Sequence, residues 1–149
     1  MKKPIFKGSF TQQEPIPDAA IEAALAVMRS GRLHRYNLAP EEVGEVSRLE
    51  EEFAAFTGAK YCVAVCSGGY AMSCALRAMG VGHADKVLSN GFTLAPVPGA
   101  IASVGAEPVF VETTEALTID IDDLAAKAHR SGARVLLLSH MRGHICDMD

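Results

Sequence analysis

The stretch YCVAVCSGGY, residues 61–70, combines an apolar run with a glycine turn. Residues 61–66 are apolar and rich in strand-forming types, so they predict a short buried strand. Ser67, Gly68 and Gly69 then interrupt the apolar pattern, and residues 70–79 predict a helix that ends at Gly80. A strand, a glycine turn and a helix in this order are typical of the first half of a parallel βα unit.

The residues that follow repeat this alternation. Short apolar strands are predicted over 86–89, 109–111 and 134–138, with helices over 96–104 and 121–130 between them. Gly105 and Gly132 end those two helices. Apolar strands joined by helices indicate a mostly parallel sheet covered by helices, which is an α/β fold.

The residues before position 61 predict two helices. Pro4, Pro15 and Pro17 keep the first eighteen residues irregular, and Asp18 is expected to cap a helix that Gly31 ends. A second helix is predicted from Pro40 to Gly58. The expected organisation is an N-terminal segment and helix over 1–30, followed over 31–149 by an incomplete large domain that is truncated at its C-terminus.

Composition restricts the class of protein. The chain has 149 residues, of which 49% are hydrophobic, so one domain with a sizeable core is expected rather than a disordered chain. The 14 basic residues are outnumbered by 18 acidic residues, and the formal charge is −4, which disfavours nucleic-acid binding. No apolar run approaches the roughly 18–20 residues of a membrane span.

The chain is expected to be cytoplasmic. Lys2 and Lys3 are not followed by the apolar segment of a secretory signal. Four irregularly spaced cysteines stand inside apolar runs, which suits a reducing compartment, and most are expected to pack as small hydrophobic side chains. They are Cys62, Cys66, Cys74 and Cys146.

Ligands of open α/β sheets bind beyond the carboxyl ends of the strands, where three segments are expected to meet. The first, residues 67–70, combines backbone N–H groups with the start of a helix, and its two glycines allow a phosphate to approach closely. A simple tight turn is the alternative interpretation. In the second segment, residues 89–93, Phe92 is positioned to stack on a planar ligand, or else to pack in the core.

The third segment, residues 139–143, begins a region with possible metal ligands. His140, His144 and Cys146 are residue types that bind zinc, but Gly143 predicts a loop where a His-x-x-x-His pair needs a helix. No metal site is therefore predicted.

Two acidic groups are interpreted as structural rather than catalytic. The first is expected to be the solvated face of the second helix, and the second to cap the helix over 121–130. The first comprises Glu41, Glu42, Glu45, Glu50, Glu51 and Glu52, and the second Asp120, Asp122 and Asp123.

Several short motifs in one order resemble a known family, the DegT/StrS-type sugar aminotransferases, which are pyridoxal-phosphate enzymes of fold type I. The resemblance covers residues 31–149, and several motifs in order are far more specific than any one alone. The motifs are GRL at 31–33, LEEEFA at 49–54, TGAKY at 57–61, SGGYA at 67–71, GVG at 80–82, DKV at 85–87, FT at 92–93, GAEPVFV at 105–111 and ID at 119–120.

The resemblance implies cofactor-binding roles for five residues. The family's Ser-Gly-Thr turn, which binds the phosphate of pyridoxal 5'-phosphate, falls on Ser67, Gly68 and Gly69. Gly69 replaces the usual Thr or Ser, so a hydroxyl contact is lost, while the backbone N–H groups of Gly68, Gly69 and Tyr70 remain. The aromatic residue that stacks on the pyridine ring falls on Phe92.

The resemblance also implies what this chain lacks. The family's Asp that pairs with the pyridine nitrogen comes beyond residue 149, and its Schiff-base Lys comes later still. None of the lysines at 2, 3, 7, 60, 86 and 127 falls on that position. The chain is therefore expected to be the N-terminal half of an aminotransferase, with no catalytic residue of its own and no turnover alone.

In the intact enzyme, an amino donor and a keto-sugar acceptor are the expected substrates. The resemblance implies a homodimer, because fold type I enzymes are dimers. For this half alone, an unfinished sheet exposes an edge and apolar faces, so association with the missing C-terminal half is expected. A non-catalytic binding or regulatory protein, or a relic of a broken gene, is the alternative. A nicotinamide-binding domain is disfavoured because the turn lacks Gly-x-Gly-x-x-Gly.

Overall fold

The computed structural model describes residue 5 and residues 7–9, 11–36 and 38–148. Lys2, Lys3 and Pro4, which were named above, lie outside the described residues. The contacts within the chain form two units, Met1–Ala64 and Val65–Asp149. The expected division into 1–30 and 31–149 concerns which residues belong to the large domain of a longer protein, and it stays a prediction.

The first unit contains two helices, α1 (Asp18–Ser30) and α2 (Glu45–Thr57). Both end as predicted, because Gly31 and Gly58 adopt left-handed φ values of 70° and 71° that favour glycine. The predicted starts are wrong. Asp18 is the first helical residue rather than the cap, and a turn in which the N–H of Glu42 donates to the carbonyl of Ala39 delays α2 until Glu45.

The apolar side chains of α2 are exposed within this chain. Phe56 is 87% exposed, and Leu49 and Phe53 are each more than half exposed. Exposed apolar faces were expected for an incomplete domain, because such faces are normally buried against another element.

Glu50 departs from its expected role on a solvated helix face. Its carboxylate accepts two hydrogen bonds from the Arg35 guanidinium, at 2.6 and 2.7 Å, and a third from the N–H of Ala64, at 2.7 Å. The N–H of Ala64 and the Arg35 guanidinium hold the pKa of Glu50 below its usual 4.5. The Glu50 carboxylate therefore connects α2 to the segments on either side of it in sequence.

This contact predicts an acid-sensitive stability. Because the pKa of Glu50 is lowered on folding, its contribution is complete above the unfolded-state pKa and is lost as the pH falls through the folded-state value. Glu50→Gln is expected to lower the thermal midpoint at pH 7, with the difference from the native chain shrinking below about pH 4. Glu51→Gln, on the same helix, is the control. An E50Q difference that is independent of pH would contradict this prediction.

The second unit begins with helix α3 (Gly68–Ala78) and continues as alternating strands and helices. The later elements are β1 (Lys86–Asn90), α4 (Pro96–Ser103), β2 (Glu107–Val111), α5 (Ile121–Ser131), β3 (Val135–Leu136) and a 3-10 turn (Met141–Gly143). The strands form a parallel sheet in the order β2-β1-β3. The α/β fold predicted from the sequence is confirmed.

The strand predicted over residues 61–66 is wrong. None of the described strands pairs with this segment, and a strand exists only where a neighbour satisfies its backbone groups. Tyr61 and Val63 are 77% and 69% exposed rather than buried. Cys66 is also exposed, against the expected burial, while Cys146 is buried and Cys62 and Cys74 are partly buried.

Two apolar clusters cover the two faces of β1. Alternate residues of a strand point to opposite faces, so Val87 packs with Leu76 and Ile101 of α3 and α4, whereas Leu88 packs with Val111 and residues near α5. The expected cap of α5 is confirmed, because Asp120 accepts a hydrogen bond from the N–H of Asp123 at 3.0 Å. This layered core fixes the carboxyl end of the sheet.

Candidate functional site

The turn at residues 67–69 is the start of α3. Ser67 occupies the N-cap position, and its Oγ accepts a hydrogen bond from the N–H of Tyr70 at 3.1 Å. The helix begins at Gly68, two residues earlier than predicted, because this cap brings both glycines into the first turn. The N–H groups of Gly68 and Gly69 have no carbonyl partner within the helix, so they are available to an anion.

The cap changes which donors the turn offers. Tyr70 was expected to supply a backbone N–H, but that group is already bonded to Ser67. The Ser67 hydroxyl accepts this bond, so its own hydrogen is available for donation. The candidate donors are therefore two backbone N–H groups and one hydroxyl.

The glycines leave space beside these donors. A Cβ added at Gly68 would meet nothing within 4 Å, and one added at Gly69 would meet only the Cβ of Pro96 at 3.7 Å and the Ser67 Oγ at 3.9 Å. These are ordinary contact distances, so a side chain at position 69 fits. The start of α3 is also close to the start of α4.

Helix α4 offers no open backbone donor at its start. Pro96 and Pro98 have no N–H, while those of Val97 and Gly99 are bonded to the carbonyls of Leu94 and Ala95. Of these two helix starts, α3 is therefore the one whose first residues offer open backbone donors.

The second segment lies at the carboxyl end of β1. Phe92 is half-buried, and its N–H donates to Thr113 Oγ1 at 3.2 Å. Leu94, two residues further on, is 58% exposed. The backbone of Phe92 is thus held at the carboxyl end of β1, two residues before an exposed leucine.

Asn90 joins the second segment to the third. Its side-chain amide donates to the carbonyls of Phe92 at 2.9 Å and Ser139 at 3.0 Å, and its Oδ1 accepts from the N–H of Ser139 at 2.9 Å. Sequence reasoning did not single out this residue. The signal available in the sequence was an amide side chain at the end of an apolar strand. A buried amide needs hydrogen-bond partners, and Asn90 is 2% exposed.

His140, His144 and Cys146, the possible metal ligands named above, are not part of a metal cluster in the part of the chain that the structure describes. Across residues 5, 7–9, 11–36 and 38–148, no group of three or more His, Cys, Asp or Glu side chains is arranged to hold a metal ion. His140 Nδ1 instead accepts a hydrogen bond from the N–H of Cys146 at 3.4 Å.

Two buried hydroxyls near this edge have no hydrogen-bond partner among the described residues, namely Ser89 Oγ and Thr93 Oγ1. Ser89 is fully buried on β1, and Thr93 is on the loop that leads to α4. Buried unpaired hydroxyls are uncommon, and a polar ligand or water is one way of satisfying them.

The first unit contains a separate cavity of about 470 Å³ between the end of α1 and the start of α2. Its walls combine apolar side chains, among them Val27, Leu33 and Val43, with the ion pair of Arg32 and Glu42. None of the five predicted cofactor-binding residues lines it.

Within the described ranges of the chain, no helix is both long and apolar enough to cross a bilayer.

Comparison with known proteins relates this chain to sugar aminotransferases. It is 41% identical over 108 residues to the spore coat polysaccharide biosynthesis protein SpsC of Bacillus subtilis, covering 70% of this chain and 27% of that protein. It is 32% identical over 139 residues to the UDP-2-acetamido-2-deoxy-3-oxo-D-glucuronate aminotransferase of Pseudomonas aeruginosa, covering 93% of this chain and 36% of that protein.

The fold is similar to that of Spr1654 from Streptococcus pneumoniae, described as a sugar aminotransferase and solved in its PLP form. The TM-score is 0.75 at 25% identity, over 89% of this chain and 32% of that one. The chain thus spans about a third of the length of these relatives. Residues 16–149 match the DegT/DnrJ/EryC1/StrS aminotransferase family. The chain therefore belongs to that family and has the N-terminal portion of its α/β fold.

Proposed function

We propose that this chain is the N-terminal part of a pyridoxal-phosphate-dependent aminotransferase that acts on a keto-sugar, and that the start of α3 binds the cofactor phosphate. The observation that carries the proposal is the capped turn at 67–69 in a member of this family. It presents two backbone N–H groups and a hydroxyl, with open space beside both glycines.

The residues present fit such a cofactor. A phosphate monoester needs several donors in one place, and α3 supplies them together with the positive end of its dipole. The unpaired Thr93 hydroxyl adds a polar group on the neighbouring loop. When bound, pyridoxal phosphate supplies the electron sink for moving an amino group from donor to acceptor.

The roles of this chain are binding and orientation. Ser67, Gly68 and Gly69 hold the phosphate, and Phe92 contacts the ring from the end of β1. The Schiff-base Lys and the Asp for the pyridine nitrogen are supplied by the remainder of the enzyme, and a homodimer is the proposed assembly. The keto-sugar and amino donor are proposed from the relatives and the family resemblance.

Titration of the 149-residue chain with pyridoxal phosphate, followed by phosphorus NMR, tests the phosphate turn. Ser67→Ala removes a donor to a charged group and is expected to weaken binding about tenfold. Gly69→Thr restores the family's hydroxyl in a place where a side chain fits, and is expected to tighten binding by a similar factor.

Ser131→Ala is the matched control, because the Ser131 hydroxyl bonds only near the end of α5. Pyridoxal, which lacks the phosphate, should bind the native chain and S67A equally. Equal binding of pyridoxal phosphate to the native chain, S67A and G69T would overturn the proposed phosphate site.

The ring contact is tested by comparing pyridoxal phosphate with inorganic phosphate. Phe92→Leu keeps the apolar volume but removes the aromatic face. It is therefore expected to weaken the binding of pyridoxal phosphate about fivefold and to leave the binding of inorganic phosphate unchanged. Leu94→Ala is the comparison. If L94A selectively weakened the binding of pyridoxal phosphate and F92L did not, the ring contact would be made by Leu94 and not by Phe92.

A non-catalytic, regulatory role is the second candidate, and Gly69 favours it because the family's hydroxyl is missing from the phosphate turn. In that case, the native chain retains pyridoxal phosphate weakly and without a lysine adduct.

A further inference from the structure

Ser73 lies one turn into α3, on the side that packs against α4. It is buried, with 9% exposure, and its hydroxyl lies 3.1 Å from the carbonyl oxygen of Gly69. It also lies 2.8 Å from the hydroxyl of Ser103 on α4. Since a hydroxyl has one hydrogen, Ser73 donates to only one of these two acceptors at a time.

The peptide group that Ser73 contacts is the one that carries the cap. The carbonyl of Gly69 and the N–H of Tyr70 belong to the same peptide unit, and that N–H donates to Ser67 Oγ at 3.1 Å. A hydrogen bond from Ser73 to the Gly69 carbonyl therefore continues through the peptide to Ser67. The Ser67 hydroxyl, which has its own hydrogen free, ends the series.

We propose that Ser73 is a positioning residue for the phosphate turn, acting through the peptide Gly69–Tyr70 on the hydroxyl of Ser67. All the donors in this series point in one direction, from Ser73 to Tyr70 N–H to Ser67 and on to the anion. Hydrogen bonds arranged head to tail polarise one another, so each donor is strengthened by the one before it. This inference rests on the proposed phosphate site.

An anion selects between two hydrogen arrangements. In one, Ser73 donates to the Gly69 carbonyl, and in the other it donates to Ser103, whose own hydroxyl then donates to the Ala100 carbonyl at 2.8 Å. Only the first arrangement supports the donor series that ends at the phosphate. Bound phosphate therefore stabilises the first arrangement, in which Ser103 donates to Ser73.

The test uses Ser73→Ala and Ser103→Ala in the 149-residue chain. Both variants remove the same hydroxyl contact between α3 and α4, so both are expected to lower the thermal midpoint by a similar amount. The two variants differ in their effect on the phosphate turn. S73A loses the donor to Gly69, whereas S103A leaves Ser73 with Gly69 as its remaining acceptor.

Inorganic phosphate is the probe, titrated while the amide signal of Tyr70 is followed by NMR. S73A is expected to weaken phosphate binding about fourfold and to reduce the shift of the Tyr70 amide on binding, while S103A stays within about twofold of the native chain. A selective loss in S73A supports the inference.

Equal effects of S73A and S103A on affinity would overturn the positioning role, because a purely structural contact is lost equally in both. If the native chain itself binds no phosphate, and G69T does not restore binding, the proposed phosphate site fails instead. The two failures are therefore distinguishable.

Discussion

Asn90→Ala is expected to lower the free energy of unfolding by about 3 kcal/mol, because it leaves three partly buried backbone groups without partners. Asn90 is 2% exposed and bonds the carbonyls of Phe92 and Ser139 and the N–H of Ser139. Alanine fills the position but offers no hydrogen bond. The measurement is urea denaturation followed by circular dichroism.

Ser139→Ala is the matched control for this prediction. Asn90 contacts only the backbone of Ser139, so removing that side-chain hydroxyl preserves all three bonds. S139A is expected to cost less than about 0.5 kcal/mol. If N90A and S139A were equally stable, the amide would not be what joins the end of β1 to the segment after β3.

Ile101→Ala is expected to destabilise the second unit by about 3–4 kcal/mol, within the usual range for removing a large aliphatic side chain from a core. Ile101 of α4 is fully buried in the cluster that includes Leu76 and Val87. The loss combines the apolar surface returned to water with the cavity that remains. The same urea denaturation experiment measures it.

Ile121→Ala makes the identical change at a site that is 58% exposed, the first residue of α5. Its expected cost is below about 1 kcal/mol, because little surface is buried there. Similar losses in I101A and I121A would contradict the position of the core between β1, α3 and α4.

Local signals predicted most of the second unit and the ends of the two helices of the first unit. Apolar runs located β1, β2 and β3, and glycines with positive φ confirmed the ends of α1, α2 and α5. These features depend on a few neighbouring residues, because side-chain periodicity and backbone sterics act within one element. The predicted strand at 61–66 failed for the opposite reason, since pairing depends on a distant partner.

The candidate site divides in the same way. The sequence predicted a turn before a helix at Ser67 and the two glycines. The helix itself begins earlier than the periodicity predicted. The sequence did not show that the Tyr70 N–H is bonded to the Ser67 cap, nor that the N–H groups at the start of α4 are already bonded. Both facts depend on which carbonyl or hydroxyl each N–H meets in space.

The α/β class, the order of elements in the second unit and the family of the chain could be predicted from the residues alone. Those properties follow from hydrophobic spacing, turn residues and motifs in order. Two contacts could not be predicted in this way: Asn90 joins two loops across 49 residues, and Glu50 joins Arg35 to Ala64. Such contacts arise from the fold as a whole, because burial brings together polar groups that no local pattern relates.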